Sequence, residues 1–269
     1  MDFLTEIMAL KRLRVAQAGG VCGLEEMRAR AREARETAER HALRRVLGDG
    51  SRVNIIAEFK RASPSRGVIR AGVEPAQFAR YYEAGGAAAI SVLTEEDRFQ
   101  GSLDDLRAVR ATVRLPVLRK DFIFDEFQVY ETAAAGADAL LLISAALDTE
   151  ALARLRRIAE DELHMDALVE VHTKEEMHRA CAGGAHLIGV NNRDLHTFNV
   201  SLDVSVQLAR EIPPGVSCVS ESGLRDGADL ARLQALGYKG FLIGETLMRA
   251  AQPDRALREI IENAVASSQ

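Results

Sequence analysis

From residue 53 onward the hydrophobic positions fall into short, β-rich runs separated by stretches of helical periodicity, the pattern of parallel strands joined by crossover helices. Eight such runs are present: VNIIAEF (53–59), AAAISVL (87–93), LPVLRK (115–120), DALLLI (138–143), DALVEV (166–171), HLIGV (186–190), VSCVS (216–220) and GFLI (240–243). A helical stretch follows each. Residues 2–47 hold no strand pattern; Leu24, Met27, Ala31, Ala34 and Ala38 recur at the three-four spacing of an amphipathic helix. The arginines of this prefix alternate with glutamates four residues apart, as in Arg32, Glu36 and Arg40 or Arg35 and Glu39, which predicts a solvated helix face rather than a nucleic-acid surface.

A weak repeat supports the count. AGGAAAISVL, AGADALLLI, AGGAHLIGV and LGYKGFLIG each close a helix with glycine (Gly85, Gly136, Gly183, Gly237) and open an even-numbered strand. The glycines lie about 50 residues apart, so the repeating unit is two strand-helix pairs taken four times. Four double units predict an α/β fold of the (β/α)₈ TIM-barrel type. The expected organisation is one domain over residues 1–269, with a helical extension at 1–50 and eight βα units at 51–269. An open doubly wound sheet would commonly carry a GxGxxG turn after its first strand, and none is present.

Composition adds limits. A chain of 269 residues, 47% hydrophobic and 28% charged, can bury a sizeable core, which removes disordered and fibrous classes. The net charge of -5 gives no general attraction to nucleic acid or anionic membrane, so any anion must be bound locally. Cys22, Cys181 and Cys218 have no metal-ligand spacing and are expected as reduced, mostly buried thiols. No stretch approaches the length of a membrane span and Glu6 interrupts any signal core, so a cytoplasmic location is expected.

Alternation along a barrel strand sends one parity inward, and at the C-terminal ends that parity faces the active-site mouth. In the first run Ile56, Glu58 and Lys60 share a face opposite the apolar Ile55, Ala57 and Phe59. The same reading places inward Lys120 above Leu118, Glu170 above Leu168, Asn191 and Arg193 beyond Gly189, and Glu221 beyond Val219. Singly, each is an ordinary rim charge. Together, three carboxylates, two lysines, an arginine and an amide can perturb one another's protonation, as acid-base catalysis requires. SESG (220–223) and IGE (243–245) place small residues where helices begin after the last two strands, a common phosphate site in barrels. His172 precedes Thr173 and Glu176, a capping-box spacing, and no second histidine has ligand spacing, so no metal site is expected.

Through IIAEFKRASPSRGVI, ISVLTEEDRFQGS, LPVLRKDFI, ALVEVH, IGVNNRDL, SESG and FLIGETLM, residues 53–253 resemble the indole-3-glycerol phosphate synthase family. The resemblance implies ring closure, decarboxylation and dehydration of 1-(2-carboxyphenylamino)-1-deoxyribulose 5-phosphate, without metal or organic cofactor. It gives Lys120 the role of general acid and makes Lys60 a substrate-anion and proton-transfer group. Glu58 and Asn191 become the dehydration pair, and Glu170 the group that orients Lys120. It assigns Arg193 to the substrate carboxylate, Glu221 to the sugar hydroxyls, and Ser222, Gly223, Gly244 and Glu245 to phosphate, the last through its backbone NH. Phe99, Phe122 and Leu141 become the wall for the anthranilate ring, with Ser63 and Ser91 also on substrate. A monomer is expected, with other tryptophan-pathway enzymes as possible partners and neither nucleic acid nor membrane. The rival readings are a phosphosugar isomerase and a Schiff-base aldolase, the second needing a neutral Lys120 or Lys60.

Overall fold

The computed structural model describes residues 3–267; the expected domain's residues 1, 2, 268 and 269 lie outside them. Eight parallel strands close a barrel: β1 (Ile55–Phe59), β4 (Ala89–Leu93), β5 (Val117–Lys120), β6 (Ala139–Ile143), β7 (Asp166–Val171), β8 (Leu187–Asn191), β9 (Ser217–Glu221) and β10 (Gly240–Ile243), with β1 bonded to both β4 and β10. Each coincides with one of the eight runs to within two residues at either end. Two further strands, β2 (Ala62–Ser63) and β3 (Gly67–Val68), form a small hairpin after β1, outside the eight runs.

Alternation sorts the core into two layers. Ile56, Ala89, Leu118, Leu168, Leu187 and Val219 fill the barrel, while Ile55, Ala57, Phe59, Ile90 and Val117 pack outward against the helices. The helices are α4 (Pro75–Gly85), α5 (Leu103–Thr112), α6 (Glu126–Ala134), α7 (Thr149–Arg157), α8 (Lys174–Ala182), α9 (Asp203–Leu208), α10 (Gly227–Ala235), α11 (Glu245–Arg249) and α12 (Pro253–Ser267). Side-chain caps set several of their starts: Ser102, Asp125, Asp148, Thr173 and Asp226 each accept a bond from a backbone NH of the first turn. Of the repeat glycines, Gly136 and Gly237 take positive φ, but in the two Gly-Gly pairs it is the second residue, Gly86 or Gly184, that turns left-handed.

The prefix is not one long helix. It divides into α1 (Phe3–Val21), α2 (Leu24–Arg35) and α3 (Ala42–Leu47). Met27 and Ala31 are buried against the barrel, but Ala34 is exposed and Ala38 lies past the end of α2. The expected four-residue charge ladder is replaced by longer-range pairs, because α2 stops at Arg35. Arg32 bonds Glu162 at 3.0 Å, and Arg35 lies 3.3 Å from Asp138 and donates to the carbonyls of Ala137, Leu163 and His164. These arginines tie the extension to the barrel. At the bottom, α3 inserts Leu43 and Leu47 into the barrel interior, and its Arg44 NH donates to buried Asp166 at 2.9 Å. All three cysteines are free thiols, and only Cys218 is buried, Cys22 and Cys181 being half-buried. Among the described residues no helix is long and apolar enough to cross a membrane.

Candidate active site

Inward residues at the C-terminal ends of the strands converge on a cleft of about 820 Å³, part of it open to solvent, lined by Glu58, Lys60, Lys120, Glu170, Asn191 and Glu221 together with Ser63, Arg193 and Ser222. Its centre is Lys120, whose Nζ donates to Glu170 Oε2 at 2.9 Å and lies 3.1 Å from Glu221 Oε2. Burial disfavours the charged form of Lys120, but Glu170, Glu221 and Glu58 outweigh it and hold the ammonium well above the usual lysine range. Burial likewise opposes ionisation of Glu170; Lys120, His172 and a bond from the Asn191 amide overcome it, so this carboxyl stays below its ordinary value. Glu221 goes the other way. Burial, with Glu170 and Glu58 adding to it against Lys120, pushes its carboxyl up to about 7. One ammonium thus faces two buried carboxyls whose affinities for a proton are driven apart, the arrangement that assigns different acid-base roles to like groups.

Glycine makes room for this cluster. A methyl group on Gly189 of β8 would overlap the Glu221 carboxylate, and one on Gly244 would lie 2.5 Å from Glu58 Oε1. Glu58 in turn accepts from Lys60 Nζ at 2.5 Å. Asn191 Oδ1 accepts from the Arg193 NH at 3.0 Å, and the Arg193 guanidinium bonds the Phe198 carbonyl and Ser65, a residue of the hairpin turn.

The apolar wall contains Phe99, Phe122 and Leu141. Glu95, a buried residue, accepts the NH groups of Asp97, Arg98 and Phe99 at 2.7–3.0 Å, and this wraps the loop after β4 so that Phe99 turns inward. The ring centroids of Phe99 and Phe122 lie 6.4 Å apart. The sequence did not point to Phe3, which enters the cavity from α1 and meets Phe122 at 6.2 Å and Phe198 at 5.4 Å, both edge-on. Ser91 departs from its expected place. Its parity is inward, but it is level with Leu118 in the layer beneath Lys120, wholly buried, and lines neither cavity. A serine is too short to reach the mouth from that level, whereas Glu58, beside it in register, spans the distance.

A second lobe adjoins the first and shares Glu58, Lys60, Arg193, Ser222, Leu242 and Glu245 with it. It is walled by Gly223, Gly244 and Glu245 and by the cations Arg66, Arg225 and Arg249. Ser222 and Gly223 are successive left-handed residues, φ +66° and +79°, a concave backbone of the kind that presents NH groups to an anion. Sequence reasoning overlooked what holds that turn: buried Asn192 donates to the carbonyls of Glu221 and Ser222 and to Ser220 Oγ at 3.0–3.1 Å. The Glu245 carboxylate is turned to Arg66 and Arg249, at 3.3 and 3.0 Å. Among the described residues the acid side chains close enough to share a cation are Glu95, Glu96 and Asp97, and these already bind backbone NH groups, Lys11 and Arg14.

Structural likeness supports the barrel. A thiamine phosphate pyrophosphorylase from Pyrococcus furiosus superposes with a TM-score of 0.60 at 16% identity over 81% of this chain and 97% of that one. A mandelate oxidase superposes at 0.59 and 19% identity over 80% of this chain and 73% of that one. Sequence likeness goes further. The indole-3-glycerol phosphate synthase from Carboxydothermus hydrogenoformans is 48% identical over 96% of this chain and 99% of its own length, and that from Syntrophobacter fumaroxidans 46% identical over 96% and 97%. The sequence model of the same family matches residues 4–260, and this chain belongs to the indole-3-glycerol phosphate synthase family.

Proposed function

We infer that the cavity closes an indole ring on 1-(2-carboxyphenylamino)-1-deoxyribulose 5-phosphate with Lys120 as the general acid. The observation that carries this is the Lys120 ammonium, kept charged by Glu170 and Glu221 in a cavity with an aromatic wall on one side and a cationic lobe on the other. The anthranilate ring lies against Phe99, Phe122 and Leu141. The phosphate occupies the NH turns at Ser222–Gly223 and Gly244–Glu245, with Lys60 and Arg193 between the two ends.

As the ring carbon that bears the carboxylate attacks the ketone, Lys120 gives its proton to the ketone oxygen, and positive charge develops on the anilino nitrogen. Glu170 faces that charge and re-protonates nothing itself; its task is to hold Lys120 in line. Carbon dioxide then leaves, and its bonding electron pair restores the aromatic ring. In dehydration the hydroxyl made in the first step departs as water with an added proton, and a methylene proton is lost to complete the indole. Glu58, bonded to Lys60, serves this step with Asn191, while Arg193 holds the carboxylate until it departs and Ser63 closes on the substrate from the hairpin. Glu221 orients the sugar hydroxyls. Its elevated proton affinity also allows it to donate to one of them. The proton added in dehydration is offset by the methylene proton lost, and Lys120 recovers its own from solvent, so substrate carboxylate and one proton become product, carbon dioxide and water with no oxidant consumed.

A Schiff-base aldolase would need a neutral amine, and the carboxylates around Lys120 favour the opposite state. The test is turnover of the carboxyphenylamino substrate, read as indole fluorescence. The chain has no tryptophan, so the background is low. Lys120→Ala should lower kcat on the order of 10²- to 10⁴-fold with the fold retained. An unaltered rate in that variant, or no product from the parent protein, overturns the reading.

A further inference from the structure

His172 lies two residues beyond Glu170 at the end of β7, and the reaction described above leaves it without a task. Its backbone NH donates to Glu176 Oε2 at 2.7 Å and its Nδ1 lies 3.3 Å from the same oxygen. On the other side its Nε2 lies 3.5 Å from Glu170 Oε1 and, although buried, has no hydrogen-bond partner. Lys120 holds the other oxygen of Glu170. The imidazole therefore bridges a carboxylate at the start of α8 and the carboxylate that orients the general acid, with one nitrogen aimed at each.

Charge counting gives this position a consequence. Glu170 and Glu221 flank a single ammonium, Lys120, so the buried cluster is one positive charge short whenever both carboxyls are ionised. Three acids act on the ring, Glu170 from its own strand, Glu176 from α8 and Glu221 from β9, while the nearby cations Lys120 and Arg179 act on Glu170 and Glu176. A proton on His172 supplies the missing charge without occupying the substrate's side of Glu170.

We propose that His172 is a positioning residue for the reaction: clamped by Glu176, its imidazolium fixes Glu170 and keeps that carboxylate ionised opposite Lys120. This rests on the assignment of Lys120 and Glu170 given above. The electrostatics agree in direction. Burial opposes charging of the ring, but Glu176 and Glu170 outweigh it and raise its proton affinity, and Glu170 is held low in part by His172. Glu176, opposed by its own burial, is lowered by its bonds to His172.

The test is the pH profile of kcat in His172→Phe, His172→Gln and Glu176→Gln, alongside the parent and Lys120→Ala. The first two remove the charge, and the third keeps the imidazole but loosens its anchor. With His172 uncharged, Glu170 should hold its proton to higher pH. The acidic limb of kcat should then move up by about one unit or more, and kcat at its optimum should fall on the order of tenfold with KM within about twofold. Glu176→Gln should move the limb in the same direction by less. A limb that stays where the parent's is, whatever the loss of kcat, overturns the proposal and leaves His172 a packing residue. So does failure of all three variants to fold. Activity surviving in Lys120→Ala would instead overturn the underlying assignment, so the two failures are distinguishable.

Discussion

Lys11 Nζ, on the helix that precedes the barrel, lies 2.9 Å from Asp121 Oδ1, and Asp121 is the residue that follows Lys120. Both side chains are almost fully buried, and Lys11 also holds Glu96 at 2.7 Å in the loop that carries Phe99. Arg14 binds Asp97 and Glu6 binds Arg98 in the same loop. Thr94 and Arg119 complete the shell around Asp121, at 2.6 and 3.0 Å. The first helix is thereby bonded to the backbone that positions the general acid and to the loop that positions the aromatic wall.

Lys11→Met removes one half of that buried pair and should cost about 3 kcal/mol of stability, because Asp121 keeps its charge with one fewer partner. Burial opposes the charge on both groups, yet Lys11 is raised by Asp121 and Glu96, and Asp121 is lowered by Lys11 and Arg119. The contribution of Lys11 is therefore present below the ordinary lysine range and lost as pH rises through its elevated value. That of Asp121 is present above the ordinary carboxylate range and lost as pH falls through its depressed one. Urea denaturation should show a constant difference between variant and parent from about pH 5 to 9. With Phe3 no longer held against Phe122, KM should rise on the order of tenfold.

The strands were legible because a barrel strand needs a continuous apolar run, and parity placed Glu58, Lys120, Glu170, Asn191 and Glu221 because alternation is fixed by the pleat. The docking of the first helix was not. Ile7 and Met8 bury an apolar edge of that helix in the cluster that fills the barrel, with Phe3 and Leu4 against it, but the anchors to Asp121 and to the loop after β4 are Glu6, Lys11 and Arg14, charges that read in a sequence as solvent-facing. Phe3 escaped because a single aromatic side chain in a helical stretch carries no mark of the cavity it enters. Asn192 escaped because a buried amide that satisfies three acceptors has no signature outside the turn it holds. Ser91 shows the limit of parity itself, which gives direction but not depth.

Gly189 is an inward position of β8 with no side chain, and Glu221 fills the space it leaves. Gly189→Ala puts a methyl group where the carboxylate lies, between a strand backbone that cannot move and the Lys120 ammonium. Overpacking of this kind costs about 1–3 kcal/mol. The fold should survive, seen as an unchanged far-UV circular dichroism spectrum with a lowered Tm. Displacement of Glu221 from Lys120 should lower kcat at least about tenfold, more than a stability loss of that size explains in a protein still folded at the assay temperature. Full activity in a variant with lowered Tm would show that the 3.1 Å contact is dispensable.

Glu221 should make stability depend on pH near neutrality. Its folded-state value of about 7 lies above that of an exposed glutamate, so the protonated form is favoured by folding. That contribution is complete below the unfolded value and is lost as pH rises through about 7. Glu221→Gln mimics the neutral acid at every pH. Relative to the parent it should gain stability between pH 5 and 8, by about 1–3 kcal/mol, measured by denaturant titration at each pH. A difference that stays flat across that window would show that Lys120 already holds Glu221 as a carboxylate at pH 5.

Glu245 presents the opposite problem, a carboxylate in the lobe assigned to phosphate. Its Oε1 is 3.3 Å from Arg66 Nε and 3.0 Å from Arg249 Nε, so the acid occupies two cations that a phosphate would otherwise attract. Both arginines are more than half exposed, which keeps each pair weak and easily exchanged. Glu245→Gln retains the backbone NH at the turn and frees both guanidinium groups. Inorganic phosphate should then inhibit about threefold more strongly at low ionic strength, and the gain should fade as salt is raised toward about 0.5 M, where exposed charges are screened over a few ångströms. Weaker inhibition in the variant would mean that the carboxylate steers Arg66 of the hairpin toward the phosphate instead of competing with it, and in that case Arg66→Ala should raise KM by the same factor.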